Sequence, residues 1–134
     1  MKQLNNSVYK MLPLGSIKPL GWLERQLQIQ ADGLSGHLDE FWPDIMDSAW
    51  FGGKAEGWER APYWLDGFIP LAWLLDDDTL KAKAKKYVDY IVAHQKEDGW
   101  LGPGAVDGRN LKPDDNYDIW ALFLANKMLC QYHE

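Results

Sequence analysis

Residues 60–95, RAPYWLDGFIPLAWLLDDDTLKAKAKKYVDYIVAHQ, decide the fold. Their first half is apolar almost all round, with Tyr63, Trp64, Leu65, Phe68, Ile69, Leu71, Ala72, Trp73, Leu74 and Leu75. A helix of that kind is expected to be buried on every side. It spans about 62–75, and Gly67 and Pro70 inside it predict a kink or a later start. The second half is amphipathic. Leu80, Ala84, Tyr87, Val88, Ile91 and Gln95 fall on one stripe, and Lys81, Lys83, Lys85, Lys86 and Asp89 face water. Asp78 is the expected N-cap, and the helix ends before Gly99. Residues 76–78 leave room only for a tight turn, so the two halves form an antiparallel hairpin.

The same reading extends outward. Pro19 suits a first helical turn. Leu20, Leu23, Leu27, Ala31 and Leu34 recur at helical spacing, which predicts an amphipathic helix over about 19–32 with Gly33 as a left-handed terminator. A further helix, broadly apolar through Ile119, Trp120, Leu122, Phe123, Leu124, Met128, Leu129 and Tyr132, starts near residue 117. No stretch alternates as a half-buried strand does. The fold class is all-α, in the order amphipathic, buried, amphipathic, buried. Alternating outer and inner helices of an α/α toroid have that order. The connections at 34–61 and 99–116 read as long loops, which are often functional. ADGLSG at 31–36 and EDGWLG at 97–102 suggest a weak repeat.

The chain has 134 residues and a net charge of −6, which fits one domain and leaves no basic patch for nucleic acid. No run of 18 apolar residues spans a membrane. Residues 1–10 carry no signal-peptide core, so a cytoplasmic location is expected. Cys130 stands alone, which excludes an internal disulfide and a multi-cysteine zinc site. On its helix it reads as a buried small apolar residue. His94 and His133 lack a second ligand at helical spacing, so no metal is expected from them. Gly102, Gly104 and Gly108 follow a helix and not a strand, which argues against a phosphate cradle.

Four of the eight tryptophans, Trp42, Trp50, Trp58 and Trp64, fall in a segment that also holds His37, Asp39, Glu40, Asp44, Asp47, Glu56, Glu59 and Asp66. Flat rings beside carboxylates suit a carbohydrate: the C–H face packs on the ring and the carboxylates accept hydroxyl protons. The competing reading is that the tryptophans pin a loop to the core. Glu59 and Arg60 either complement a helix N-terminus or touch substrate. Asp66 is a lone acid on an apolar helix, so it needs a partner or a polar cavity.

LPLGSIKPLGWLERQL (12–27), GLSGHLDEFWPD (33–44), DSAWFGG (47–53), EGWERAPYWLDGFIPLAWLLDD (56–77) and AHQKEDGWLGP (93–103) together resemble the N-terminal catalytic region of glycoside hydrolase family 127-like proteins. That group is typified by β-L-arabinofuranosidases. The resemblance runs from about residue 12 to 134. It implies an (α/α)6 barrel acting on a plant-type or other carbohydrate, an L-arabinofuranoside among them. The matched positions at the barrel mouth are His37, Trp50, Glu59, Arg60, Tyr63, Trp64 and Asp66, which the resemblance implies as substrate lining. Characterised relatives use a cysteine nucleophile beside zinc, with further cysteines and a glutamate. Those motifs lie beyond the matched region and Cys130 matches none of them. No residue is therefore assigned as catalytic, and no cofactor is expected in this chain, zinc being a property of complete relatives. Residues 1–134 read as a single partial domain, about one third of a barrel and inactive alone. Self-association or the missing remainder of the barrel would cover its inner helices. The alternative is a non-catalytic oligomerisation or carbohydrate-binding domain.

Overall fold

The computed structural model describes residues 9–103 and 119–133. Six α-helices are present among them: α1 (Trp22–Asp32), α2 (Leu34–Phe41), α3 (Pro43–Met46), α4 (Arg60–Leu75), α5 (Asp78–Ala93) and α6 (Trp120–His133). A 3-10 turn lies at Ala49–Phe51, and no strand occurs among the described residues. The described residues therefore form an all-α fold.

The hairpin at 60–95 forms as its sequence requires. Asp76 takes the left-handed conformation (φ 58°) and closes α4. The N-cap of α5 is Asp77 and not Asp78, because the Asp77 carboxylate accepts from the amides of Thr79 (2.8 Å) and Leu80 (3.0 Å). Leu80, Ala84, Tyr87, Val88 and Ile91 are all buried against the α4 core of Leu65, Phe68 and Ile69. Pro70 does not interrupt α4.

Cross-links between helices give their directions. Glu59 on the α4 N-terminus accepts from Trp120 Nε1, and Asp66 accepts from Lys127. Both partners lie 61 residues further along the chain. A constant offset, and not a constant sum, means that α4 and α6 run parallel. Trp73 against Tyr132, with ring centroids 5.4 Å apart, is a third rung in the same direction. Ala121 and Ala125 are buried on α6 and let it approach α4 closely. Conversely, Lys18 reaches the Trp73 carbonyl while Trp64 Nε1 reaches the Ser35 carbonyl, so α1 runs antiparallel to α4. Two parallel helices thus alternate with two antiparallel ones.

Several expectations are corrected. The 34–61 connection is not a plain loop; it holds α2, α3 and the 3-10 turn. Helices of 8 and 4 residues are too short for an apolar period to register. Gly33 is not left-handed (φ −103°) but leads directly into α2. There Gly36 passes so close to α1 that an added Cβ would lie 1.8 Å from the Ala31 carbonyl oxygen. Gly99, the counterpart of Gly33 in the apparent repeat, is left-handed (φ 89°), so the two copies differ in backbone. α4 is not buried all round, because Tyr63 and Gly67 face outward. The stripe of α1 is covered only in part: Leu20, Leu23 and Leu34 are exposed. Cys130 is exposed, since Ala121, Ala125 and Met128 take the side of α6 that meets α4. The 99–116 loop beyond Pro103 and the start of the last helix near residue 117 lie outside the described residues.

Candidate functional site

The α4 N-terminus is built by an acid that the sequence pattern left unassigned. Glu56 is buried, and its carboxylate accepts from the amides of Glu59 (3.0 Å) and Arg60 (3.3 Å). It supplies the negative charge that a helix start favours. The segment before it is folded on itself: Ser48 Oγ donates to the Glu56 carbonyl, and the Ala55 amide donates to the Asp47 carbonyl. Glu59 is thereby released from capping and points toward α6.

Leu38, Trp42, Glu59, Arg60, Tyr63 and Trp64 line an open groove of about 410 Å³ between α2 and α4. Trp42 precedes Pro43, which holds it extended (φ −89°, ψ 113°) and swings its ring off the end of α2. The Arg60 guanidinium lies over that ring, 5.2 Å from its centroid. Asp44, from the first turn of α3, meets Arg60 Nε at 3.1 Å. Arg60 is thus held on two sides, by the Asp44 carboxylate and the Trp42 ring, at the wall of the groove. Tyr63 is 50% exposed and offers a ring face and a hydroxyl. Trp64 is the back wall, fixed by Ser35 and stacked on Phe68 at 4.9 Å. One side of the groove is therefore aromatic, with one carboxylate and one guanidinium at its edge.

Of the seven expected lining residues, Glu59, Arg60, Tyr63 and Trp64 come together here. Asp66 does not line the groove; it lies about two turns beyond Glu59 on α4, roughly 10 Å along the axis. Its Oδ2 meets Lys127 at 2.8 Å, while Oδ1 is buried without a hydrogen-bond partner. His37 sits apart on the exposed side of α2, with Nδ1 2.9 Å from Glu40 Oε1. Trp50 is buried and donates to the Trp58 carbonyl at 2.8 Å, so it pins the 47–58 segment to the core. Leu38, Trp42, Asp44, Glu56 and Trp120 complete the site without having been assigned to it. The Trp-Pro step is the signal that could have found Trp42.

A polar cluster joins α2 to α5 behind the groove. Lys83 Nζ meets the Gly36 carbonyl (2.8 Å), Asp39 (2.9 Å) and Glu40 (3.0 Å), so Lys83 is not a water-facing lysine as expected. Burial pulls the Lys83 pKa down, but the bonds to Asp39 and Glu40 outweigh it and leave it raised. Tyr87 donates to Asp39 at 2.8 Å, and burial followed by that carboxylate pushes its hydroxyl pKa well above the ordinary value.

Among the described residues no three His, Cys, Asp or Glu side chains converge as a metal site, and no helix is long and apolar enough to cross a membrane. No family model, no curated protein and no solved structure matches this chain.

Proposed function

We propose that the chain is a carbohydrate-binding segment of an (α/α)6 glycoside hydrolase related to family 127, contributing sugar contacts and not the catalytic groups. The groove at the α4 N-terminus carries this reading, because it combines the chemistry a sugar needs. Tyr63 offers an exposed ring face to C–H groups, beside the Trp42 ring that Arg60 covers. Glu59 accepts from hydroxyls and the Arg60 Nη groups donate to ring or hydroxyl oxygens. The alternation of α1, α4, α5 and α6, with α4 and α6 parallel, supports the toroid part of the reading. On this reading the chain alone binds sugar without cleaving it.

Titration with arabinosides and other glycosides, followed by tryptophan fluorescence, tests this. Trp42 and Trp64 line the groove and report directly. A saturable change that disappears in Tyr63→Ala and Arg60→Ala is expected. An identical response in both variants, or no response in the wild type to any glycoside, removes the sugar assignment. Turnover of a chromogenic glycoside by this chain alone contradicts its non-catalytic role.

One observation favours a second reading, a helical association domain: Trp22, Leu23 and Ile29 on α1 and Ile119 and Phe123 beside or on α6 are exposed.

A further inference from the structure

We propose that the groove between α2 and α4 sorts its sugars by charge, taking an amino sugar ahead of a neutral one and rejecting a uronate, with Glu59 as the residue that sets this order. The proposal rests on the sugar reading and names the ligand class within it.

Among the described residues Arg60 is the only cation that lines the groove, and Asp44 pairs with its Nε at 3.1 Å. The guanidinium also lies over the Trp42 ring, so protein groups take up its charge on two sides. Glu59 lines the same groove and has no such partner. It accepts from the neutral Trp120 indole and meets no cation among the described residues. The groove therefore carries an uncompensated negative charge. The positive end of α4 would offset about half of it, but the buried Glu56 carboxylate already accepts from the Glu59 and Arg60 amides there. Behind the α2 wall the balance has the same sign. Lys83 stands against both Asp39 and Glu40, which leaves a further negative charge when His37 is neutral.

The aromatic walls add to this preference, because a ring face attracts a cation through its quadrupole. Arg60 already covers Trp42 in this manner, and Trp64 is buried and stacked on Phe68. Tyr63, one helical turn after Glu59 and 50% exposed, keeps an open ring face. A ligand ammonium seated between Glu59 and Tyr63 gains an ion pair and a ring contact together. A ligand carboxylate in the same place meets a like charge, and the cation that could receive it is shared with Asp44.

Titration with the methyl glycosides of glucose, of its primary-amine analogue and of its uronic acid, followed by tryptophan fluorescence, tests this. The three differ only at the exocyclic carbon. At about pH 6 the amine is protonated and the uronate ionised. In the wild type at low salt, each step from amine to neutral to uronate is expected to weaken binding about fivefold, the scale of one exposed ion pair. The steps shrink in about 0.5 M salt, where screening acts within about 5 Å, so salt reads the same charge without a substitution. Glu59→Gln keeps an acceptor for Trp120, removes the charge and collapses the order. Asp44→Asn releases Arg60 and raises uronate affinity at least about threefold. Circular dichroism verifies that both variants fold. Equal affinity for all three sugars, or an order that Glu59→Gln leaves unchanged, overturns the charge order and leaves the sugar reading standing. Binding of neutral arabinosides with none of the amino sugar has the same meaning. No response to any of these sugars removes the sugar reading, and this proposal with it.

Discussion

The pair of Asp66 and Lys127 makes a prediction with opposite signs for its two members. Asp66 is mostly buried, with its side chain 18% exposed, while Lys127 is 60% exposed. An ion pair with one end in water is worth about 0.5 kcal/mol. Against it stands Asp66 Oδ1, buried with no hydrogen-bond partner, at a cost of about 1–3 kcal/mol. Pro70 adds to the local deficit, because it has no amide to offer the Asp66 carbonyl four residues back. Replacing the carboxylate with an apolar group of similar size removes that desolvation cost and gives up only the weaker ion pair. Asp66→Leu is therefore expected to stabilise the fold by about 1 kcal/mol, a rise of roughly 3–5 °C in Tm for a domain of this size. Lys127→Met instead leaves the carboxylate buried and unpaired. It is expected to cost about 2 kcal/mol, less than the 3–5 kcal/mol of a fully buried broken pair because Asp66 keeps some exposure. Urea unfolding followed by far-UV circular dichroism reads both. Destabilisation of Asp66→Leu by more than about 1 kcal/mol, with none in Lys127→Met, refutes this balance of costs. A more stable Asp66→Leu that also loses glycoside binding would mark Asp66 as an acid kept for function at the expense of stability.

Three further outcomes are expected. Glu56→Ala orphans two amides at the α4 start and lowers stability by about 1–2 kcal/mol in urea titration, and an unchanged midpoint refutes the cap. Gly36→Ala drives a methyl into the Ala31 carbonyl and costs about 2–4 kcal/mol, read as a lower Tm; a Tm equal to wild type contradicts the α1–α2 contact. Hydrogen bonds from Lys83 and then His37 hold the Glu40 pKa below its ordinary 4.5, and those from Lys81 and then Lys18 hold the Asp76 pKa below 3.8. Both folded-state values are depressed, so this stabilisation is complete above those ordinary values and is lost as pH falls through the folded ones. The double variant Glu40→Gln, Asp76→Asn should show a shallower acid limb in stability against pH, and an unchanged limb sinks the assignment.

The sequence by itself determined the helical class and the hairpin at 60–95. Apolar spacing depends only on neighbours three and four residues away, and long helices repeat it often enough to be read. It also placed Glu59, Arg60, Tyr63 and Trp64 together, because one helix start carries all four. Tertiary structure decided what each of them does. Glu56 does the capping because the 47–57 segment folds back on itself, which leaves Glu59 for Trp120, 61 residues away. Trp42 joins the groove and Trp50 does not, because Pro43 turns one ring outward and the Trp58 carbonyl draws the other into the core. Composition cannot separate two tryptophans eight residues apart. Their roles depend on which backbone carbonyls and helix faces come near, and packing across the whole chain sets that.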